Sequence, residues 1–270
     1  MNSSRVLVVI AIGKRYEKLL LKKLKMFRDY AKKCNAEFQV IKTPLDTTFH
    51  RPIYFQKMLI ASAFSTYEEV LFLDLDITIT KSCPDIFAFF RNDKGFGAVL
   101  DPRGTEKFKL TWSDNETVLA ETTDSYFTRR NFEANKKLQG SINGGVMIFR
   151  PQLIGELFSN YYFSQHDDGQ ESAFRNNEEP PMAYISQTQD LFEALDYRFN
   201  TQVIYELRGT PQGRVLWEKH HKKPALIKKL QKLLTGSYFL ENNDYRDLVL
   251  KIADSAWIIH FSDHLPIADC

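Results

Sequence analysis

Val70-Leu71-Phe72-Leu73-Asp74-Leu75-Asp76-Ile77-Thr78-Ile79-Thr80 decides how this chain is read. Four apolar residues lead into two aspartates one residue apart, and a β-branched run follows. The apolar run predicts a buried strand, which puts both acids at its carboxyl end. That edge of an open α/β sheet is where ligands bind. Two ionised carboxylates placed there repel each other and lose hydration unless a cation joins them. Hard divalent ions prefer oxygen ligands. The pair therefore points to a metal site that holds phosphate, set against the plainer reading of a solvated loop.

Working outward, Arg5 to Ala11 predicts a buried parallel strand and Gly13 a sharp turn. From Lys14 the period becomes helical, with Tyr16, Leu20, Leu24, Phe27 and Ala31 on one stripe. Glu37 to Ile41 predicts a second strand. This β-α-β opening is that of a nucleotide-binding sheet, yet it lacks both the Gly-x-Gly-x-x-Gly and the Gly-Lys-Ser/Thr phosphate signatures. Ile53 to Phe64 predicts a helix, Gly95 to Leu100 a strand, and Val146 to Phe149 a short strand with a turn before it. A helix is expected from Pro151 to about Tyr161, a loop over 167–177, and another helix from Pro180-Pro181. A last strand lies within Ala253 to Phe261. Residues 101–140 are polar and show no period, as a lid or acceptor loop would.

The chain has 270 residues, 43% of them hydrophobic, enough for one large domain. A net charge of +2 gives no bulk electrostatic reason for nucleic acid binding. Cys34, Cys83 and Cys270 have neither metal-ligand nor disulfide spacing. The amino-terminal apolar run lacks a signal-peptide cleavage site, and no segment reaches the ~20 apolar residues of a membrane span. The expectation is a cytoplasmic protein. One segment stands apart: after Glu218 to Lys223, the apolar Leu226, Ile227, Leu230, Leu233 and Leu234 interleave with Lys228, Lys229 and Lys232. The plainer reading of this basic amphipathic helix, over 222–234, is a surface helix packed on the core. The sharper one is peripheral contact with an anionic membrane.

An apolar strand ending in Asp-x-Asp, then Asn143-Gly144-Gly145-Val146, then His260 after a late apolar strand, together resemble a GT-A-fold nucleotide-sugar glycosyltransferase. The resemblance is to the retaining group of the glycogenin and lipopolysaccharide galactosyltransferase type. It runs over about residues 5 to 262, without 101–140 and 210–250. It implies an α/β fold with a mixed, mostly parallel central sheet flanked by helices. It also implies a single catalytic domain over 1–270, with 210–250 as a helical appendage.

The resemblance implies roles residue by residue. Asp74, Asp76 and His260 bind Mn²⁺ or Mg²⁺, and Asp74 also reaches the ribose. Leu75 lies between the acids in the nucleotide site. Lys57, seventeen residues before Asp74, approaches the donor phosphates. Ala11, Ile12 and Gly13 contact the nucleoside, and Tyr16 stacks on the base or belongs to the core stripe. Asn143, Gly144 and Gly145 meet the sugar, where glycine permits close approach. Glu178 and Glu179 stand where the family places an Asp-Gln pair at a helix start. Glu179 is the first candidate for a catalytic carboxylate and Glu178 the second. Tyr197-Arg198-Phe199-Asn200 resembles a structural strand entry. At the carboxyl end the family's Gly and phosphate-binding Lys are missing from His260-Phe261-Ser262-Asp263-His264-Leu265-Pro266. The donor implied is a nucleotide-diphosphate sugar, uridine diphosphate favoured. The acceptor is a glycan, glycolipid or protein.

Two other readings compete. Asp74-Leu75-Asp76-Ile77-Thr78 also fits the first motif of a haloacid-dehalogenase-like phosphatase, with Asp74 as nucleophile and Asp76 as general acid/base. A non-catalytic nucleotide-sugar-binding module is the third.

Overall fold

The computed structural model describes residues 4–49, 51–164, 177–235, 243–262 and 265–267. In chain order the first elements are β1 (Arg5–Ile10), α1 (Lys14–Lys33) and β2 (Glu37–Ile41). A 3-10 helix (Ile53–Leu59) then leads into α2 (Ile60–Ala63), followed by β3 (Glu69–Leu73), β4 (Ile77–Ile79) and β5 (Phe96–Leu100). Three short helices occupy the polar stretch that showed no period: α3 (Glu106–Thr111), α4 (Glu116–Ala120) and α5 (Thr123–Thr128). Next come β6 (Ile142–Phe149), α6 (Pro151–Phe163), α7 (Glu179–Thr188), β7 (Phe192–Ala194) and β8 (Thr201–Gln202). The chain closes with α8 (Val203–Gly209), α9 (Pro211–His221), α10 (Ala225–Thr235), α11 (Asn243–Ala253) and β9 (Ile258–His260). Most of the loop expected over 167–177 lies outside the described residues.

The chain divides into two compact units, the first comprising 1–75, 85–101 and 122–196. Its sheet has the strand order β2-β1-β3-β6-β5-β7, parallel at β2-β1, β1-β3 and β5-β7 and antiparallel on either side of β6. Val70 to Leu73 of β3 are fully buried, which is why they read as an unbroken apolar run, and buried Glu69 at the strand's start is paired with Arg5 and Arg150. Phe96, Phe149 and Phe158 pack together in the core beneath α6, with Met58, Phe72 and Met147 in the same cluster. Chain order and sheet order part on either side of β1, since β2 lies to one side and β3 to the other. Ligands of open α/β sheets bind at the strands' carboxyl ends beside such a switch point.

The second unit comprises 76–84, 102–121 and 197–270. Its small sheet has the order β4-β9-β8, with Ile77 opposite His260 and Gln202 beside His260. Helices α3, α8 and α11 share a core of Phe108, Tyr205, Leu207, Tyr245 and Val249. Arg208 lies 5.2 Å over the Trp112 ring and 5.0 Å over Trp217.

Three expectations are revised. The Asn143-Gly144-Gly145 turn is part of β6, which begins at Ile142. Tyr16 is 46% exposed and leaves the core stripe of α1 to Leu20, Phe27, Tyr30 and Ala31. The apolar face of α10 is not packed away: Leu226, Ile227, Leu230 and Leu233 are all exposed. Among the described residues no helix is long and apolar enough to cross a membrane.

Candidate active site

In the first unit, four strand ends meet at one edge of the sheet. The carboxyl ends of β1, β3 and β5 point the same way, and β6, antiparallel to β3 and β5, starts there. The β5–β6 register shifts between Ala98, opposite Met147, and Val99, opposite Asn143. The residues between form a bulge, a device that redirects backbone at a sheet edge. It leaves Gly145 O to accept from the Asp74 N–H at 2.9 Å, and the Gly145 N–H donates to Asn143 Oδ1 at 3.1 Å. Asp74, Asn143, Gly144 and Gly145 are thereby held side by side.

Lys57 enters this group from the 3-10 helix. Its ammonium donates to Asp74 Oδ2 at 3.0 Å and Gly144 O at 3.1 Å, and it pairs with Glu178 Oε1 at 3.0 Å. Its three N–H donors thus have three partners. Burial by itself lowers the ammonium's pKa, but the charges of Asp74 and then Glu178 outweigh it, and the net direction is upward. Lys57 is a charged structural tie, not a snorkelling surface lysine.

Glu178 immediately precedes α7 without capping it by its side chain, and Glu179 opens the helix just before Pro180 and Pro181, which suit the first helical turn. Glu178 is buried. Glu179 Oε1 accepts from the Gly144 N–H at 2.7 Å, and its Oε2 accepts from Asn177 at 3.2 Å. Burial, then the neighbouring Glu178 charge, pushes the Glu179 carboxyl up to about 7, and Asp101 adds to the rise. Asp101 follows β5 and escaped the reading of the sequence, where it is one acid among many in a polar stretch. Its signal is the shared one with Asp74: an aspartate directly after a buried strand.

The glycine at 144 is required by these acids. A Cβ there would stand 3.1 Å from Glu178 Oε1 and 3.4 Å from Glu179 Cγ. Both carboxylates are tied and cannot retreat freely. Gly144→Ala is expected to lower kcat/KM by about tenfold to a hundredfold through misplacement of the two acids. Overpacking should cost about 1–3 kcal/mol. Steady-state kinetics alongside thermal unfolding separates the two effects.

The nucleoside candidates lie at the end of β1. Ala11 is fully buried, Ile12 half-buried and Gly13 exposed, at φ +92 with open space where a Cβ would stand. Tyr16 is exposed in the first turn of α1. The Leu75 side chain is buried, which confines any ligand contact by that residue to its backbone.

In the second unit, Asp76 precedes β4 and His260 ends β9. The Phe261 N–H donates to the Asp76 backbone O at 2.8 Å, locking the two segments together. His260 is 4% exposed, and its Nδ1 lies 3.0 Å from Asn200 Oδ1. Its Nε2 lies 3.4 Å from Asp76 Oδ1, a contact that a proton or a cation between the two atoms makes favourable. Asn200, read from the sequence as part of a structural strand entry, holds the His260 ring by one nitrogen, the kind of contact by which a histidine is oriented.

A family model described as glycosyl transferase family 8 matches residues 10–265. The chain belongs to that family. The match runs through 101–140 and 210–250, where the resemblance had stopped. Family 8 membership makes the protein a glycosyltransferase, drawing on a nucleotide-sugar donor and a glycan acceptor, and overturns the phosphatase reading. No curated protein sequence matches. A solved structure of the galactosyltransferase LgtC, in complex with donor and acceptor sugar analogs, is similar at 13% identity and TM-score 0.50. The alignment covers 95% of this chain and 86% of that one. The bifunctional glycosyltransferase WbbM, in apo form, is similar at 10% identity and TM-score 0.52, over 97% of this chain and 46% of its own. The fold of this family 8 chain is GT-A: a mixed, mostly parallel sheet flanked by helices.

Proposed function

We propose that this family 8 chain moves a sugar from a UDP-sugar to a glycan, glycolipid or protein hydroxyl, with retention of configuration, and needs a divalent metal. Both units, residues 1–270, form one catalytic domain in this reading, with the helices over 210–250 appended. Asp74, Asp76 and His260 are the ligands for Mn²⁺ or Mg²⁺. One residue separates the two aspartates, so their Cα atoms stay within about 7 Å of each other. The observation that supports the metal is His260 Nε2 placed 3.4 Å from Asp76 Oδ1, with Asn200 Oδ1 3.0 Å from the other ring nitrogen. The two carboxylates suit either Mn²⁺ or Mg²⁺, and the imidazole favours Mn²⁺, the less strictly oxygen-seeking of the two. Bound there, the metal would neutralise the negative charge that grows on the departing diphosphate.

The chain's own groups do the rest. Ala11, Ile12, Gly13 and Tyr16 receive the nucleoside. Lys57 offers positive charge near the phosphates while holding Asp74 in place. Asn143, Gly144 and Gly145 line the sugar. The acceptor hydroxyl attacks on the face the leaving group departs from, and a phosphate oxygen of that group takes its proton, so no protein nucleophile is required. Glu179 lies beside the sugar site with a carboxyl tuned towards neutral pH, as a proton-handling group should be. An inverting reaction would use it as the base. Glu178 is committed to Lys57 and serves as a positioning residue.

Titration calorimetry of the purified protein with UDP and GDP, with and without Mn²⁺, tests the donor and metal together. UDP binding that appears only with Mn²⁺ supports the reading. Metal-independent binding, or a preference for GDP, rejects the corresponding part.

Glu179 also makes a pH prediction with a definite sign. Its folded carboxyl keeps its proton up to about 7, against an ordinary 4.5. The folded state therefore binds more protons between those values, and stability falls as pH rises through that window. Above it the cost is complete, on the order of 2 kcal/mol after discounting for a partly exposed side chain. Glu179→Gln should remove this slope. In chelator, the variant is expected to match the wild type near pH 4 and exceed it at pH 8 in urea unfolding. A parallel pair of pH profiles would reject the burial argument.

A further inference from the structure

We propose that α10 docks this protein on an anionic lipid surface. The helix runs from Ala225 to Thr235. At 100° per residue, Leu226, Ile227, Leu230 and Leu233 fall within an arc of about 120°. Lys228 and Lys229 fall outside that arc. An amphipathic helix of a folded domain normally turns its apolar arc to the core. Here that arc is bare: Leu226 is 70% exposed, Ile227 49%, Leu230 50% and Leu233 82%. Four large apolar side chains on one face are a contiguous patch, not scattered surface residues, and such patches mark contact sites.

Charge selects the occupant. Residues 219–240 contain six lysines and no aspartate or glutamate. A second copy of this chain seated face to face would bring the same lysine-rich segment against itself, because a two-fold contact pairs like surfaces. Like charges brought together oppose that contact. A surface of anionic lipid headgroups has the opposite sign, and acyl chains beneath it accept leucine and isoleucine. Lysine-rich helices with one apolar face lie in that interface plane. The docking rests on α10 alone and stands apart from the metal and donor reading.

The test is cosedimentation of the full chain with phosphatidylcholine vesicles, with and without about 30 mol % phosphatidylglycerol. Binding to the anionic vesicles is expected to be at least about tenfold stronger and to weaken about tenfold between about 0.1 M and about 0.5 M NaCl. The double variant Leu230→Gln/Leu233→Gln and the triple variant Lys228→Gln/Lys229→Gln/Lys232→Gln should each lose about tenfold or more in binding. Their unfolding midpoints and UDP titrations should match the wild type, since the two leucines stand in solvent. The lipid and salt arms use the wild type alone and decide the question even where a variant folds poorly. Equal binding to both vesicle types, no binding, or variants that bind like the wild type would overturn the proposal. Self-association that the leucine variant abolishes, with no vesicle binding, would assign the face to a second copy instead.

Discussion

Asp76→Asn is expected to lower kcat/KM by at least about a thousandfold, roughly 4 kcal/mol of transition-state stabilisation, with the fold intact. Asparagine keeps the shape and one oxygen but removes the charge that a divalent ion needs. The Phe261 N–H bonds to the Asp76 backbone oxygen, an attachment that the substitution leaves in place. The side chain is 40% exposed, so losing its charge leaves no buried void. Stability should stay within about 0.5 kcal/mol of the wild type. The measurement is UDP release from whichever donor sugar supports turnover, across a Mn²⁺ series. If the loss is one of metal affinity, excess Mn²⁺ recovers part of the rate. A variant with wild-type turnover and metal dependence would remove Asp76 from the ligand set, leaving the His260–Asp76 contact as an ordinary ion pair.

The parts of this site that were legible in the sequence are those set by local pattern. A strand buried on both faces must be continuously apolar, so Val70 to Leu73 announced itself, and with it the position of Asp74. The helix at Pro180-Pro181 was marked by residues that favour a first turn. The parts set by long-range pairing were hidden. Asn143-Gly144-Gly145 reads as a turn because glycines weaken a strand, and the bulge that makes them strand residues depends on register with β5 and β3. Asn200 meets His260 because β8 lies parallel to β9, sixty positions away in the chain. The helices over 106–128 are five or six residues long, too short for a period to show. Their signals were the caps instead: Thr105, Asn115 and Thr122 each accept from a backbone N–H in the first turn. In α10 the amphipathic pattern was plain, but a pattern names an apolar face without naming what covers it.

Lys57→Met should be the most destabilising single change in the site. One ammonium stands between Asp74 and Glu178, with Glu179 and Asp101 close by, so the wild-type group already carries more negative than positive charge. Methionine fills similar space and removes the only cation among these residues. Asp74 and Glu178 are then left desolvated and mutually repelling. Breaking a buried pair in this way costs about 3–5 kcal/mol, and the lower end applies because Asp74 is partly exposed. Gly144 O loses a donor at the same time. The wild-type pairing is in place at neutral pH, because a lysine whose pKa is raised stays charged until well above neutrality. Urea unfolding near pH 7 in chelator reads the deficit. A variant as stable as the wild type there would mean that Lys57 is not the counter-ion of these acids. Divalent metal should restore part of the stability at pH 8 by replacing the lost charge beside Asp74. That rescue would separate a site short of positive charge from one that has merely lost a packing side chain, which Mn²⁺ cannot repair.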